Sequence, residues 1–190
     1  NTVCILVATG TFLYNKIRHK RAEKQGKIYV MNRIWSWLLA MSTVICALFM
    51  TLMTVFYSSE NPLTAFLNRL INFRLSYGKK GVDLFGFSLL GQYIPMIGNG
   101  GSVKESEMYF FLDCSYMNLA LQFGIVLLGI ILIICSVIGF SAIQKKNWVL
   151  LWILAVVAVQ CMIEHHMMDI SYNPFLWAVF ADMTVKAGKR

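Results

Sequence analysis

The chain has 190 residues, 58% of them apolar and only 14% charged, and carries a formal net charge of +8. A water-soluble domain usually carries about 25% charged residues, so this composition lacks the charge to cover a surface in water. The basic excess forms no stripe interleaved with aromatics outside the apolar runs, which excludes a nucleic-acid partner; its distribution is topogenic instead.

Three prolines in the whole chain suit long uninterrupted helices. The expected fold class is all-α: a polytopic integral membrane helix bundle with a large extracytoplasmic loop that contains an amphipathic helix. Because the chain opens at Asn1 inside an apolar run, it reads as the C-terminal part of a longer polytopic membrane domain.

The candidate spans are residues 2–14, 34–57, 119–143, 148–163 and 170–185, with the loop at 58–113. Thr2 to Tyr14 is apolar and runs into a basic segment. Ile34 to Tyr57 is free of charge and exceeds the roughly 20 helical residues that cross about 30 Å of hydrocarbon. Leu119 to Ile143 is rich in Ile, Val and Leu with one polar interruption at Gln122; at that length only a helix satisfies its backbone in lipid. Trp148 to Ile163 is short but uncharged. Ile170 to Val185 holds Pro174 and Asp182 and reads as a short span or a re-entrant element.

Charge placement gives the sidedness. Cytoplasmic loops are enriched in Lys and Arg. The stretch before the second span carries Lys16, Arg18, Lys20, Arg21, Lys24, Lys27 and Arg33 against Glu23 alone. Lys145 and Lys146 fill the connection after the third span, and Lys186, Lys189 and Arg190 end the chain. Five spans put all three regions on the cytoplasmic face, with the C-terminus inside and loop 58–113 outside.

Within that loop, Asn61-Pro62 reads as a helix start, with Asn61 as the N-cap and Pro62 in the first turn. Leu63, Phe66, Leu67, Leu70 and Ile71 then fall on one face, the pattern of a helix lying on a membrane surface. Gly78, Gly81, Gly86, Gly91, Gly98, Gly100 and Gly101 are expected to break the following chain into turns. Cys46, Cys135 and Cys161 lie in apolar runs, Cys4 and Cys114 near the outer face, and no cysteine spacing suggests a metal site.

The run Asn68-Arg69-Leu70-Ile71-Asn72-Phe73-Arg74-Leu75, followed by Tyr77-Gly78-Lys79-Lys80-Gly81, resembles the "R-L-x-x-x-R-L-x-x-G" stretch of Wzy-type capsular and exopolysaccharide polymerases. Leu84-Phe85-Gly86 and Leu90-Gly91-Gln92 are similar to the segment that follows it. Leu112-Asp113-Cys114-Ser115-Tyr116 resembles the family's "v-D-n-S-Y" entry into a span, although Cys114 stands where many relatives carry a polar residue. Phe123-Gly124-Ile125, Glu164-His165-His166 and Tyr172-Asn173-Pro174-Phe175-Leu176 continue the order, so the likeness covers roughly residues 60–180.

The resemblance implies a bacterial membrane glycosyltransferase on the outer face of the cytoplasmic membrane. It would polymerise undecaprenyl-pyrophosphate-linked repeat units into capsule or exopolysaccharide, without metal or other cofactor. The partners implied are the lipid-linked oligosaccharide, the lipid bilayer, a flippase and a chain-length regulator. An O-antigen-type ligase shares this chemistry, and a transporter or flippase of lipid-linked sugars is the non-enzymatic alternative.

The residue types can be weighed against that chemistry. A leaving pyrophosphate develops negative charge, which a guanidinium holds with paired donors. Arg69 and Arg74 are the candidates, with Lys79 and Lys80 adding attraction; snorkelling to lipid phosphates or plain solvation are the competing roles. A base must take the proton of the acceptor hydroxyl, and His165, His166, Asp113 and Glu164 stand at outer span ends. On a helix His165 and Asp169 share a face. Asp113 also suits the N-cap of the following helix, and Tyr116 an interfacial anchor. Tyr77 and Tyr116, with Tyr93, Tyr109 and Phe110, are candidates for stacking on sugar.

Overall fold

The computed structural model describes residues 33–96, 110–165 and 167–168, together with Gly10, Leu13, Tyr14, Lys16, Ile17, Lys20 and Arg21. The expected spans at 2–14, but for those few positions, and 170–185, with His166, Asp169 and Tyr109, lie outside the described residues.

Every regular element among the described residues is helical. The apolar run at 34–57 forms α1 (Arg33–Ala40) and α2 (Ser42–Val55), bent by 59° where they meet. Met41 at the bend has φ −94° and ψ 6°, off the helical value, yet bonds from Met41 N–H to Trp37 O and from Ile45 N–H to Met41 O carry the chain across. After a turn come α3 (Pro62–Leu70) and α4 (Arg74–Phe85). The next segment is α5 (Ser115–Asn118), continued by a π-helical turn at Leu119–Phe123. Then follow α6 (Ile125–Gln144) and α7 (Trp148–Gln160).

The run expected as one helix over 119–143 is therefore interrupted. Gly124 adopts φ 94°, in the left-handed half of the map, and a Cβ there would lie 2.5 Å from the Leu89 carbonyl oxygen. Only glycine fits so close an approach without strain. The loop after α4 occupies the break: Ile125 N–H donates to Ser88 O at 3.0 Å, Val126 N–H to Leu89 O at 3.2 Å, and Gln92 N–H to Gln122 O at 2.9 Å.

α6 has 20 residues, enough for about 30 Å at roughly 1.5 Å per residue. It is the one continuous helix among the described residues long and apolar enough to cross a membrane, and the bent pair α1–α2 is a second candidate. α7, with 13 residues, is shorter than a full crossing. Asn147 caps it, accepting from Leu150 N–H at 3.2 Å.

Packing follows a narrow seam. The buried positions Ser36, Leu39, Ala40, Thr43, Ala47, Met50 and Thr54 recur at three- and four-residue steps along α1 and α2. They meet α6 and α7 through Leu128, Ile131, Cys135, Ile138, Gly139 and Ala142, and Leu150, Leu151, Leu154 and Ala158. A Cβ on Gly139 would lie 2.8 Å from the Ala40 carbonyl oxygen and 2.9 Å from its Cα, so the two backbones touch there. Large apolar side chains point outward instead: Ile34, Trp35, Leu48, Leu52, Phe56, Ile130 and Ile133 are all exposed. Only 33% of the most apolar window of α6 is buried inside the protein.

α3 is inverted in the same sense. Asn61 caps it as expected, accepting from Leu63 N–H at 3.0 Å, with Pro62 opening the helix. Its buried residues are Thr64 and Asn68, and Leu67 and Ile71, expected on the outer apolar face, pack partly buried against the core, whereas Leu63, Phe66 and Leu70 are about two-thirds exposed at 65%, 64% and 67%. Asn68 ties three segments: its amide donates to Tyr57 Oη at 3.1 Å, its side-chain oxygen accepts from Ser76 N–H at 3.1 Å, and its carbonyl accepts from Phe73 N–H at 2.7 Å.

Two glycines depart from their expected role. Gly78 and Gly81 lie inside α4, and both are buried. They let α4 pack closely: a Cβ on Gly78 would sit 2.8 Å from Thr54 Cγ2, and one on Gly81 3.0 Å from Leu121 Cδ1. Gly86 does end the helix and Gly91 turns the loop, each with positive φ.

Candidate functional site

The sequence places Arg74 just after α3, and the chain reaches it through a strained turn. Asn72 and Phe73 both have positive φ, 54° and 62°, a costly conformation for a bulky residue. The reversal ends α3 and makes Arg74 the first residue of α4. Its guanidinium points toward two segments far away in sequence. Nε–H donates to Ile163 O at 3.0 Å, and an Nη1–H donates to Asp113 Oδ2 in an ion pair. These bonds engage two of the five N–H donors that a guanidinium carries.

Asp113 also faces His165: its Oδ1 stands 3.8 Å from His165 Nδ1. The carboxylate is thus shared between a cation and an imidazole, with Arg74 and Asp113 side chains 16% and 15% exposed and His165 41% exposed. The site is sheltered on the cation's side and open on the imidazole's. Phe111 packs edge-on against the His165 ring, centroids 5.4 Å apart at 75°.

Two expectations for this region are corrected. Asp113 is not a helix cap; Cys114 is the N-cap residue of α5, without a side-chain cap bond, because the Asp113 carboxylate is drawn to Arg74. His165 does not stand on a helix, since α7 ends at Gln160 and a turn follows, so a helical face shared with Asp169 does not apply. Among the described residues, Asp113 is an acidic neighbour.

The segment carrying His165 is held by residues 115 and 116. Ser115 N–H donates to Cys161 O at 2.9 Å, and Tyr116 Oη–H donates to Ala158 O at 2.8 Å. The Ser115 hydroxyl donates to Glu164 O and accepts from Met167 N–H. Tyr116 is fully buried, so it belongs to the core and is not a surface platform for sugar or an interfacial anchor; Phe110 is likewise buried. Cys114 is buried as well, and burial pushes its thiol up to about 11, against a smaller lowering by the Met117 and Tyr116 backbone and by Arg74.

The remaining candidates divide. Tyr77 lies one helical turn after Arg74, half-buried, on a neighbouring strip of α4. Glu164 contributes its backbone carbonyl to the Ser115 clamp and is partly exposed. Arg69 is exposed in the last turn of α3. Lys79 pairs with Asp83 at 2.9 Å one turn along α4, and the Lys80 amine stands 6.0 Å from the Phe110 ring centre. Neither lysine is part of the Arg74–Asp113–His165 group. Among the described residues no three His, Cys, Asp or Glu side chains gather as a metal site.

Sequence reasoning did not single out Ser115, Phe111 or Asn68. Ser115 lay inside the quoted D-C-S-Y run, but what it ties together is more than forty residues downstream. No protein-family model matches the chain, and no curated protein or solved structure is significantly similar to it.

Proposed function

We propose that this chain is the outer-face catalytic portion of a polytopic membrane glycosyltransferase that polymerises lipid-pyrophosphate-linked oligosaccharide repeat units. The observation that carries the reading is the convergence of Arg74, Asp113 and His165 at a half-open site. Their chemistry suits a transfer from a diphosphate to a hydroxyl.

In this reading His165 takes the proton of the acceptor sugar hydroxyl as its oxygen attacks the anomeric carbon of the donor. The anomeric C–O bond to the lipid pyrophosphate breaks, and the electron pair leaves with the phosphate oxygen. Arg74 stabilises that developing charge with its further N–H donors. Asp113 orients both partners, its carboxylate lying between them.

The membrane setting is supported by the outward-facing Ile, Leu, Phe and Trp side chains, by the length of α6, and by the inverted α3. A close contact between small residues, Gly139 against Ala40, with large apolar residues on the outside, suits a lipid environment. The basic residues between 16 and 33, and Lys145 and Lys146, argue for a cytoplasmic position of those regions and an outer position of the site. A ligase would use the same residues with a different acceptor.

A transporter of lipid-linked sugars is the second reading, favoured by the helix interrupted at Gly124, since broken helices line many transport sites. One experiment separates them. Arg74→Ala and His165→Ala in the full-length protein are expected to insert normally, leave lipid-linked single repeats accumulating outside, and abolish long polymer. Normal polymer length in both variants would remove the catalytic reading; accumulation of repeats on the inner leaflet would favour the transporter.

A further inference from the structure

We infer that Ser115 is a positioning residue that fixes where His165 stands against the Asp113 carboxylate, an inference that rests on the acid–base role proposed for His165. Ser115 is 2% exposed, at the first position of α5. Its hydroxyl donates to the carbonyl of Glu164 and accepts from the N–H of Met167 at 3.2 Å. One side-chain oxygen therefore grips the backbone on both sides of His165.

That grip matters because no helix holds the segment. α7 has ended at Gln160, and residues 161–165 run as a turn and bend. Ser115 N–H to Cys161 O, Arg74 Nε–H to Ile163 O and Glu164 N–H to Gln160 O also hold the segment, all before His165. The Ser115 hydroxyl holds the backbone on both sides of that residue. A hydroxyl offers one donor and two acceptor sites, so serine serves both bonds and alanine serves neither.

The distance to be controlled is small. His165 Nδ1 lies 3.8 Å from Asp113 Oδ1, just beyond a direct hydrogen bond. A shift of about 1 Å in a supporting segment can change a rate about a hundredfold. Phe111 packs edge-on against the ring.

The test uses Ser115→Ala and Ser115→Thr in the full-length protein in lipid nanodiscs. Three quantities are read: the rate at which diethyl pyrocarbonate modifies His165, by peptide mass spectrometry; hydrogen exchange at the Met167 amide; and the pH profile of polymer formation. Ser115→Ala should raise both rates about tenfold, the scale set by losing two ordinary hydrogen bonds, and should alter the pH profile of polymer formation. Ser115→Thr keeps the hydroxyl and should return all three toward wild type.

Rates unchanged by Ser115→Ala would overturn the inference. So would a freed His165 with an unaltered pH profile. If Ser115→Ala fails to fold, Ser115→Cys decides in its place: the weakly bonding thiol should raise both rates, and rates unchanged from wild type remove the clamp. The outcome stays separable from the function itself. Dispensable Arg74 and His165 would sink the polymerase reading, while the modification and exchange rates would still report on Ser115.

Discussion

Arg74 and Asp113, 39 residues apart in sequence, form one ion pair that joins the start of α4 to the approach to α5. The pair is sheltered rather than surface-exposed, so it differs from the solvated ion pairs that contribute little.

Removing one partner should therefore be costly. Arg74→Ala leaves the Asp113 carboxylate sheltered without its cation, and is expected to destabilise the fold by about 2 kcal/mol or more. Arg74→Lys should recover only part of this, because a single ammonium lacks the fixed fork that reaches both Ile163 O and Asp113. Denaturation in detergent, run as a double-mutant cycle with Asp113→Asn, checks it; additive losses would show that the two residues are not coupled.

Gly139 gives a prediction on packing. With a Cβ only 2.8 Å from the Ala40 carbonyl oxygen, α1 and α6 must separate to admit any side chain. Gly139→Val is expected to cost about 1–3 kcal/mol, the range for overpacking a filled interior. Gly129, which has nothing within 4 Å of its built Cβ, is the control: Gly129→Ala should be neutral or mildly stabilising. Equal effects at the two glycines would contradict the contact.

The inverted α3 makes opposite demands on its two faces. Asn68→Ala removes bonds to Tyr57 and Ser76 and should cost about 1–3 kcal/mol. Phe66→Ser and Leu63→Ser touch no core and should leave stability nearly unchanged. Their effect should fall on lipid, as reduced depth of a nitroxide or bromolipid quenching contact at α3. Loss of stability without any change in lipid contact would mean that the outer face packs against protein.

Cys114 carries the pH dependence. With the folded thiol at about 11 against an ordinary value of 9.0, the folded state holds its proton over a range where the unfolded chain has released it. Its contribution is complete below pH 9 and is lost as pH rises toward 11. Alkylation of Cys114 at pH 8 should be slow in the native protein and fast after denaturation, read by intact mass and peptide mapping. Rapid native labelling would show that the thiol is not buried.

Much of the helical content was legible from hydropathy and from one local signal, the Asn61-Pro62 start, because both depend on neighbouring residues. The interruptions were not. Uniformly apolar runs look the same whether the helix is straight, bent at Met41 or broken at Gly124, since the break is made by a loop that enters from Ser88 and Leu89. Gly78 and Gly81 misled for a related reason: glycine signals a turn locally, but here small size is required by Thr54 and Leu121 across the interface. Arg74, Asp113 and His165 were each legible as ionisable groups at element ends. Their pairing was not, because it depends on three segments meeting, and neither was the exclusion of Lys79 and Tyr116, which local ion pairing and burial decide.

The way Ser88 and Leu89 cover the start of α6 also determines how charge can be recognised. The exposed amides that begin a helix normally attract anions, yet those of Ile125 and Val126 are already occupied by carbonyl oxygens of the same chain. A negatively charged ligand is therefore not drawn to the head of the longest helix among the described residues. In the proposed glycosyltransferase reading, selectivity for a diphosphate would fall to side-chain cations, whose position depends on how the helices assemble, so that recognition and correct assembly would become one requirement.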